Sequence, residues 1–196
     1  MGSYDSLSSL RAAMVDVYNS VDPYVLLRTA QGIVAETCPR ATITGGGAMV
    51  SGTVYYMQIE LVRGQILTTS HIVVGTAGSA VTFAKIGLYD TAGLLLASTA
   101  DQTSAWATVG VHSQAFTAPY TVPTTGLYYA AWLCVASTTV PASGIASAPQ
   151  VPNVGNGVAA PSGGLVFGSL VSQVDLPASG AIAAGTAPAL IWVGFS

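Results

Sequence analysis

Charge is what this chain has least of. Five Lys or Arg and eight Asp or Glu make up 7% of its 196 residues, against roughly 25% in an ordinary soluble domain. An apolar core under a charged shell is therefore excluded as the general plan. With five basic residues and a formal net charge of −3, no patch can neutralise several phosphates, so nucleic-acid binding loses its main source of affinity. Attraction to an anionic membrane surface is excluded on the same count. Long apolar runs are missing too. Mean hydropathy is +0.59, yet the obvious candidate, Gly126 to Ala136, falls well short of the ~20 residues that a spanning helix needs.

Cysteine and histidine are equally scarce. Cys38 and Cys134 stand far apart and form neither a disulfide framework nor a CxxC motif, and Cys134, inside an apolar run, reads as a small buried hydrophobe. His71 and His112 are the two histidines, and each lies inside a strand pattern where a structural or surface role is expected. No GxSxG elbow occurs; the nearest stretch, Gly75-Thr76-Ala77-Gly78-Ser79, has the wrong spacing, and HExxH is missing. No catalytic residue, metal site or cofactor is therefore expected. Among the carboxylates, Asp90 reads as a turn residue, and Glu60, near Arg63, as an ion pair or an exposed group, which leaves little for a glycosidase pair with Asp101. The opening MGSYDSLSSL has no basic or apolar leader pattern, so synthesis in a cytoplasm is expected. An outer-membrane barrel is set aside on that ground and because 137–164 breaks the regular strand spacing.

The charges that exist are unevenly placed. Seven fall in the first 40 residues, and after Gln102 there is one, Asp175. This marks a boundary near Gly45-Gly46-Gly47, with a helical anchor or arm over 1–44 and a β domain over 45–196. Leu7, Leu10, Met14, Val17 and Val21 share one stripe of a helix, capped by Ser3 or Asp5 and stopped by Asp22-Pro23. That stripe packs on its own domain or docks onto a partner or other copies. Tyr24 to Cys38 fits a connecting arm and a second short helix equally well. The glycine runs at 45–47 and 163–164 lack the Lys-Ser/Thr of a phosphate loop and read as flexible joints.

After the glycines the period changes to that of strands. Thr53 to Val62, Ile66 to Val74, Ala80 to Tyr89 and Ala107 to Thr117 are rich in β-branched and aromatic residues. Asp90-Thr91-Ala92-Gly93 predicts a hairpin turn into Leu94 to Ala97. Leu127 to Val135 is apolar on both faces, as a doubly buried strand would be. Leu165 to Val171 and Ala189 to Phe195 close the series, and 137–164, rich in Pro, Gly, Ala and Ser, predicts a long loop. The pattern is that of a mainly β fold, an antiparallel β-sandwich or jelly roll preceded by a short N-terminal α-helical segment.

The order GTVYYMQIEL, then GLYDTAGLLLAST, then an AF strand into PYTVPTTGLYYAAWL resembles the β-sandwich modules of structural proteins of tailed-bacteriophage virions, found in head decorations, head fibres and tail fibres. That resemblance implies a non-enzymatic virion component, made in the host cytoplasm. It also implies a homotrimer that attaches through its N-terminal segment to the major capsid or tail proteins. The alternative on the same fold is a receptor- or carbohydrate-binding module of a tail fibre or spike that contacts a host surface glycan. For that role Trp106, after the polar stretch Asp101-Gln102-Thr103-Ser104, is the expected exposed ring.

Overall fold

The computed structural model describes residues 28, 30–40, 43–47, 49–146, 166–180, 182 and 190–196. Leu7, Leu10, Met14, Val17 and Val21 lie outside them, as does most of the long loop expected over 137–164. The chain divides into two compact units, Met1–Ile33 and Val34–Ser196. In the first, Arg28 and Ala30 are helical, and the N–H groups of Gln31 and Ile33 donate to the Arg28 carbonyl at 3.1 and 3.0 Å. Gly32 sits at φ +70°, the left-handed residue that commonly ends a helix. Of the two readings of Tyr24 to Cys38, a helix thus describes Arg28 and Ala30, and a strand follows at Ala35.

The second unit is mainly β, with every ladder antiparallel. Its strands are β1 (Ala35–Glu36), β2 (Ile43–Gly47), β3 (Thr53–Leu61), β4 (Ile66–Thr76), β5 (Ser79–Tyr89), β6 (Leu95–Ser98), β7 (Gly110–Thr121), β8 (Gly126–Thr139), β9 (Ala142–Ala146), β10 (Val166–Leu170), β11 (Leu190–Ile191) and β12 (Val193–Phe195), with one helical turn, α1 (Thr103–Trp106), before β7. One sheet runs β10-β3-β8-β5-β6. In the other, β7 lies along one side of β4, and β12 and β9 share the opposite side, extended by β1, β11 and β2. Residues 34–44, expected with the N-terminal arm, are thus partly built into the sheet through β1 on β12 and β2 on β9. Gly45 to Gly47, read as a flexible joint, are ladder residues in β2, and part of the expected loop, Ser137 to Thr139 and 142–146, is strand.

Alternation along each strand decides what the two sheets share. Met57, Ile86, Leu88 and Trp132 of the first sheet join Leu67, Ile72, Val74, Val193 and Phe195 of the second in one buried cluster, the arrangement of two sheets around a common core. The intervening residues of the first sheet point the other way, and they are apolar as well. Val54, Tyr56, Tyr89, Ala131 and Leu133 form a second buried cluster with Leu176.

What covers that outer face is the segment after β10. Gln173 N–H donates to Gly52 O at 2.8 Å, Tyr89 Oη to Pro177 O at 2.8 Å, and Leu95 N–H to Ala178 O at 3.0 Å. Lys85 Nζ meets Asp175 at 2.9 and 3.1 Å, and Gly180 N–H reaches Gly93 O at 3.1 Å. Residues 171–180 therefore strap the sheet from its β10 edge to its β6 edge. Two glycines make room for it. A Cβ on Gly87 would come within 2.7 Å of Leu176 Cδ1, and one on Gly93, already at φ +82°, would overlap the Gly180 carbonyl.

Leu176→Ala is expected to cost about 2–3 kcal/mol by the cavity it leaves, and Gly87→Ala about 1–3 kcal/mol by overpacking the same contact. Denaturant midpoints check both. A Leu176→Ala protein within about 0.5 kcal/mol of wild type, the range of an ordinary surface substitution, would mean that the strap is not packed in solution.

Candidate functional site

Trp106, expected as an exposed ring, is fully buried. The polar stretch before it serves the interior. Gln102 is itself 2% exposed; its Oε1 accepts from Trp106 Nε1 at 3.0 Å, and its Nε2 donates to Thr99 Oγ1 at 2.8 Å. Asp101 Oδ1 accepts from the N–H groups of Ala84 and Thr103 and from the Thr103 hydroxyl. These bonds close α1 against β5 and drive the indole inward, where it stacks on Trp132 with centroids 4.8 Å apart and planes 20° apart. The ring belongs to the core and not to the exposed surface expected of a ligand contact. Trp132 and Trp192, expected in the core or an interface, are also fully buried.

The other polar candidates are placed by the turns and strands that carry them. Asp90 Oδ1 accepts from Ala92 and Leu94 N–H at 2.9 and 2.8 Å, the local bonding expected of a turn aspartate. Glu60 is exposed, opposite Leu127 in the ladder, so of the two readings for it the exposed one holds. Asp90, Asp101 and Glu60 are not brought together on any one strand face. Cys134 is a buried free thiol whose pKa burial pushes up to about 12, with Asp101 adding to the rise, so it carries little thiolate character. Among the described residues, no three His, Cys, Asp or Glu side chains form a metal-sized cluster, and no helix is long and apolar enough to cross a membrane.

The arrangement that most resembles reactive chemistry is around His71, on the outward side of β4. Its Nδ1 lies 2.7 Å from Ser113 Oγ and its Nε2 2.8 Å from Ser196 Oγ. Strand pairing sets this geometry, because His71 is opposite Ser113 on β7 and Gly194 on β12. Ser196 is held by its backbone: it exchanges 2.9 Å bonds with Thr69, and its carbonyl also accepts from the Thr68 N–H at 2.6 Å. A hydroxyl beside Nε2 has the separation of a nucleophile and its base. The remaining features oppose that role. The group orienting Nδ1 is a neutral hydroxyl, where a base of this kind is helped by a carboxylate that stabilises the imidazolium. Burial, and then the Arg40 guanidinium, hold the His71 pKa below its ordinary value. The cation that proton abstraction would create is thus disfavoured. Arg40 itself lies over the Trp192 ring at 5.5 Å, and Glu36 accepts from Trp192 Nε1 at 2.9 Å. The sequence placed His71 within a strand beside Thr69 and Val73; its two serine partners come from β7 and from beyond β12, and no spacing in the chain points to them.

The class of protein that the fold defines is a mainly β domain of two antiparallel sheets with a strapped outer face. Comparison with protein families, curated proteins and solved structures finds no match to this chain.

Trp106→Ala is expected to cost about 3–5 kcal/mol, the range for an aromatic removed from a core, and a lowered melting temperature reads it. A variant as stable as wild type would put the indole at the surface. For His71, the folded protein binds a proton less readily than the unfolded chain, whose value is about 6.5. Its contribution is fully present above that pH and is lost as pH falls through the lower folded value. The denaturant midpoint should therefore drop as pH falls below about 6.5, and His71→Gln should drop less. An equal drop in both would assign the effect to other groups.

Proposed function

We propose that this chain is a non-enzymatic structural component of a bacteriophage particle, a capsid decoration or a head or tail fibre protein. It assembles with copies of itself and attaches through its N-terminal segment to the capsid or tail, so its site of action is the virion. In this reading the β unit is an antiparallel β-sandwich or jelly roll, and the segment with Leu7, Leu10, Met14, Val17 and Val21 is a helical anchor.

The observation that carries the reading is the surface of the β unit. Val50, Val109, Val171 and Val174 are between 60% and 80% exposed, and Val62, Ile66, Val111 and Leu127 are 50% exposed or more. In the same unit, Glu36, Lys85, Asp90, Asp101 and Asp175 all spend their side chains on internal hydrogen bonds. Apolar side chains left outside with few free charges around them suit a surface that other subunits cover. Contacts of that kind bury apolar and backbone groups and change little with salt. The alternative of a sugar-binding module loses its best ring with Trp106 in the core.

Deleting Met1–Ile33 is expected to leave the β unit folded, with the near-ultraviolet circular dichroism of its buried aromatics retained, and to abolish incorporation into particles. An immunoblot of purified virions reads the outcome. Incorporation at the wild-type level would overturn the anchoring role, and absence of the full-length chain from virions would overturn the particle assignment itself.

A further inference from the structure

We propose that two copies of this chain pair edge to edge through β7, in antiparallel register about a two-fold axis at Ser113. This deepens the reading of the chain as self-assembling and rests on it. Among the described residues, β7 has one strand partner, β4, which it follows from Gly110 to Ala115. It then leaves the regular ladder, since Thr69 pairs with Ala115 but Leu67 with Tyr120, and Phe116 bridges across to Thr99. The edge that no described strand pairs is therefore 110–115.

Unpaired edges invite strand addition, and monomeric proteins blunt them with charges, prolines or a covering segment. The β6 edge of the other sheet is covered in this way by Ala178 and Ser179 of the strap. Among the described residues, the 110–115 edge has none of these devices. It contains no Lys, Arg, Asp or Glu, and the proline of its strand, Pro119, lies past the point where the ladder breaks. Val111 is 50% exposed and the neighbouring Val109 65% exposed.

The occupant follows from the pleat. Val111, Ser113 and Ala115 face outward, while His112 and Gln114 lie on the other side of the strand, half-buried. Side chains that oppose each other in an antiparallel pair must share a face. A second β7 can therefore pair only in registers that set outward residues against outward ones. The register centred on Ser113 uses the whole edge. It puts Val111 against Ala115, Ser113 against Ser113, and His112 against Gln114 of the second copy. Apolar meets apolar, hydroxyl meets hydroxyl, and imidazole meets amide, with no like charges opposed. An edge that complements itself in this way fits a copy of the same strand. The contact is isologous and closes at two copies, where the resemblance implied three.

Light scattering coupled to size-exclusion chromatography tests it on the full chain. Wild type is expected at twice the mass of one chain and Val111→Lys at the mass of one, with the near-ultraviolet circular dichroism of the two alike because position 111 is exposed in the single chain. Adding Ala115→Glu to Val111→Lys should restore the doubled mass, since the register sets each Lys opposite a Glu of the other copy. Ser113→Cys should give a disulfide-linked dimer on a non-reducing gel. A wild-type mass of three chains, or a doubled mass that Val111→Lys leaves intact, would overturn pairing through β7 while leaving self-assembly standing. A wild-type monomer would overturn both. Failure of the double variant to re-form dimers, or of Ser113→Cys to cross-link, would overturn the register.

Discussion

The β unit depends on one constraint, the burial of β8 on both of its faces. Ala130, Ala131, Trp132, Leu133 and Cys134 are all fully buried in succession, so the middle of this strand has no side turned to water. A sheet with such a centre needs two covers. The inner one is the second sheet, reached by Trp132 and its neighbours. The outer one cannot be water, the usual boundary of an antiparallel sheet, and the strap over 171–180 takes its place. The positions of Gly87, Gly93 and Leu176 make sense only in that light. They are the points where a third layer lies close against the sheet.

That constraint was partly legible in the chain. Leu127 to Val135 carries apolar residues without alternation, which reads as a strand covered twice, and the β-branched stretches around Tyr55, Ile72 and Ile86 give strands within a few residues of their observed bounds. The Asp90 to Gly93 turn is legible for a local reason, since one aspartate and one glycine carry its geometry. What could not be read has a common cause in distance along the chain. Nothing near Leu176 says that its partners are Tyr56 and Leu133, and nothing near His71 points to Ser113 and Ser196. β9, built from Ala142 to Ala146, has none of the β-branched density that marks a strand, and it forms because β2 and β4 supply its hydrogen bonds. Trp106 misleads in the opposite way. Flanking polarity normally signals exposure, but Asp101 and Gln102 turn their side chains inward to hold α1.

The scarcity of charge takes on a different meaning once each charged group has a place. Lys85 and Asp175 tie the strap to β5. Asp90 shapes a turn, Asp101 binds α1 to β5, and Glu36 with Arg40 brackets the Trp192 indole. Most of the charge in the β unit is structural, and the exterior is left to threonine, serine and valine. Such an exterior has little electrostatic means of keeping copies apart. It suits a protein whose working state is an assembly, and edge pairing through an uncharged strand is one route to it.

The placement of the three indoles has an optical consequence. Trp106, Trp132 and Trp192 are all the tryptophans in the chain, and each is wholly shielded from solvent. Intrinsic emission therefore comes from the interior alone, at short wavelength and out of reach of aqueous quenchers. Loss of the packed interior shifts it to the red without any attached dye. Events confined to the surface, such as one copy meeting another, leave that signal unchanged, so unfolding and association can be followed separately in the same sample.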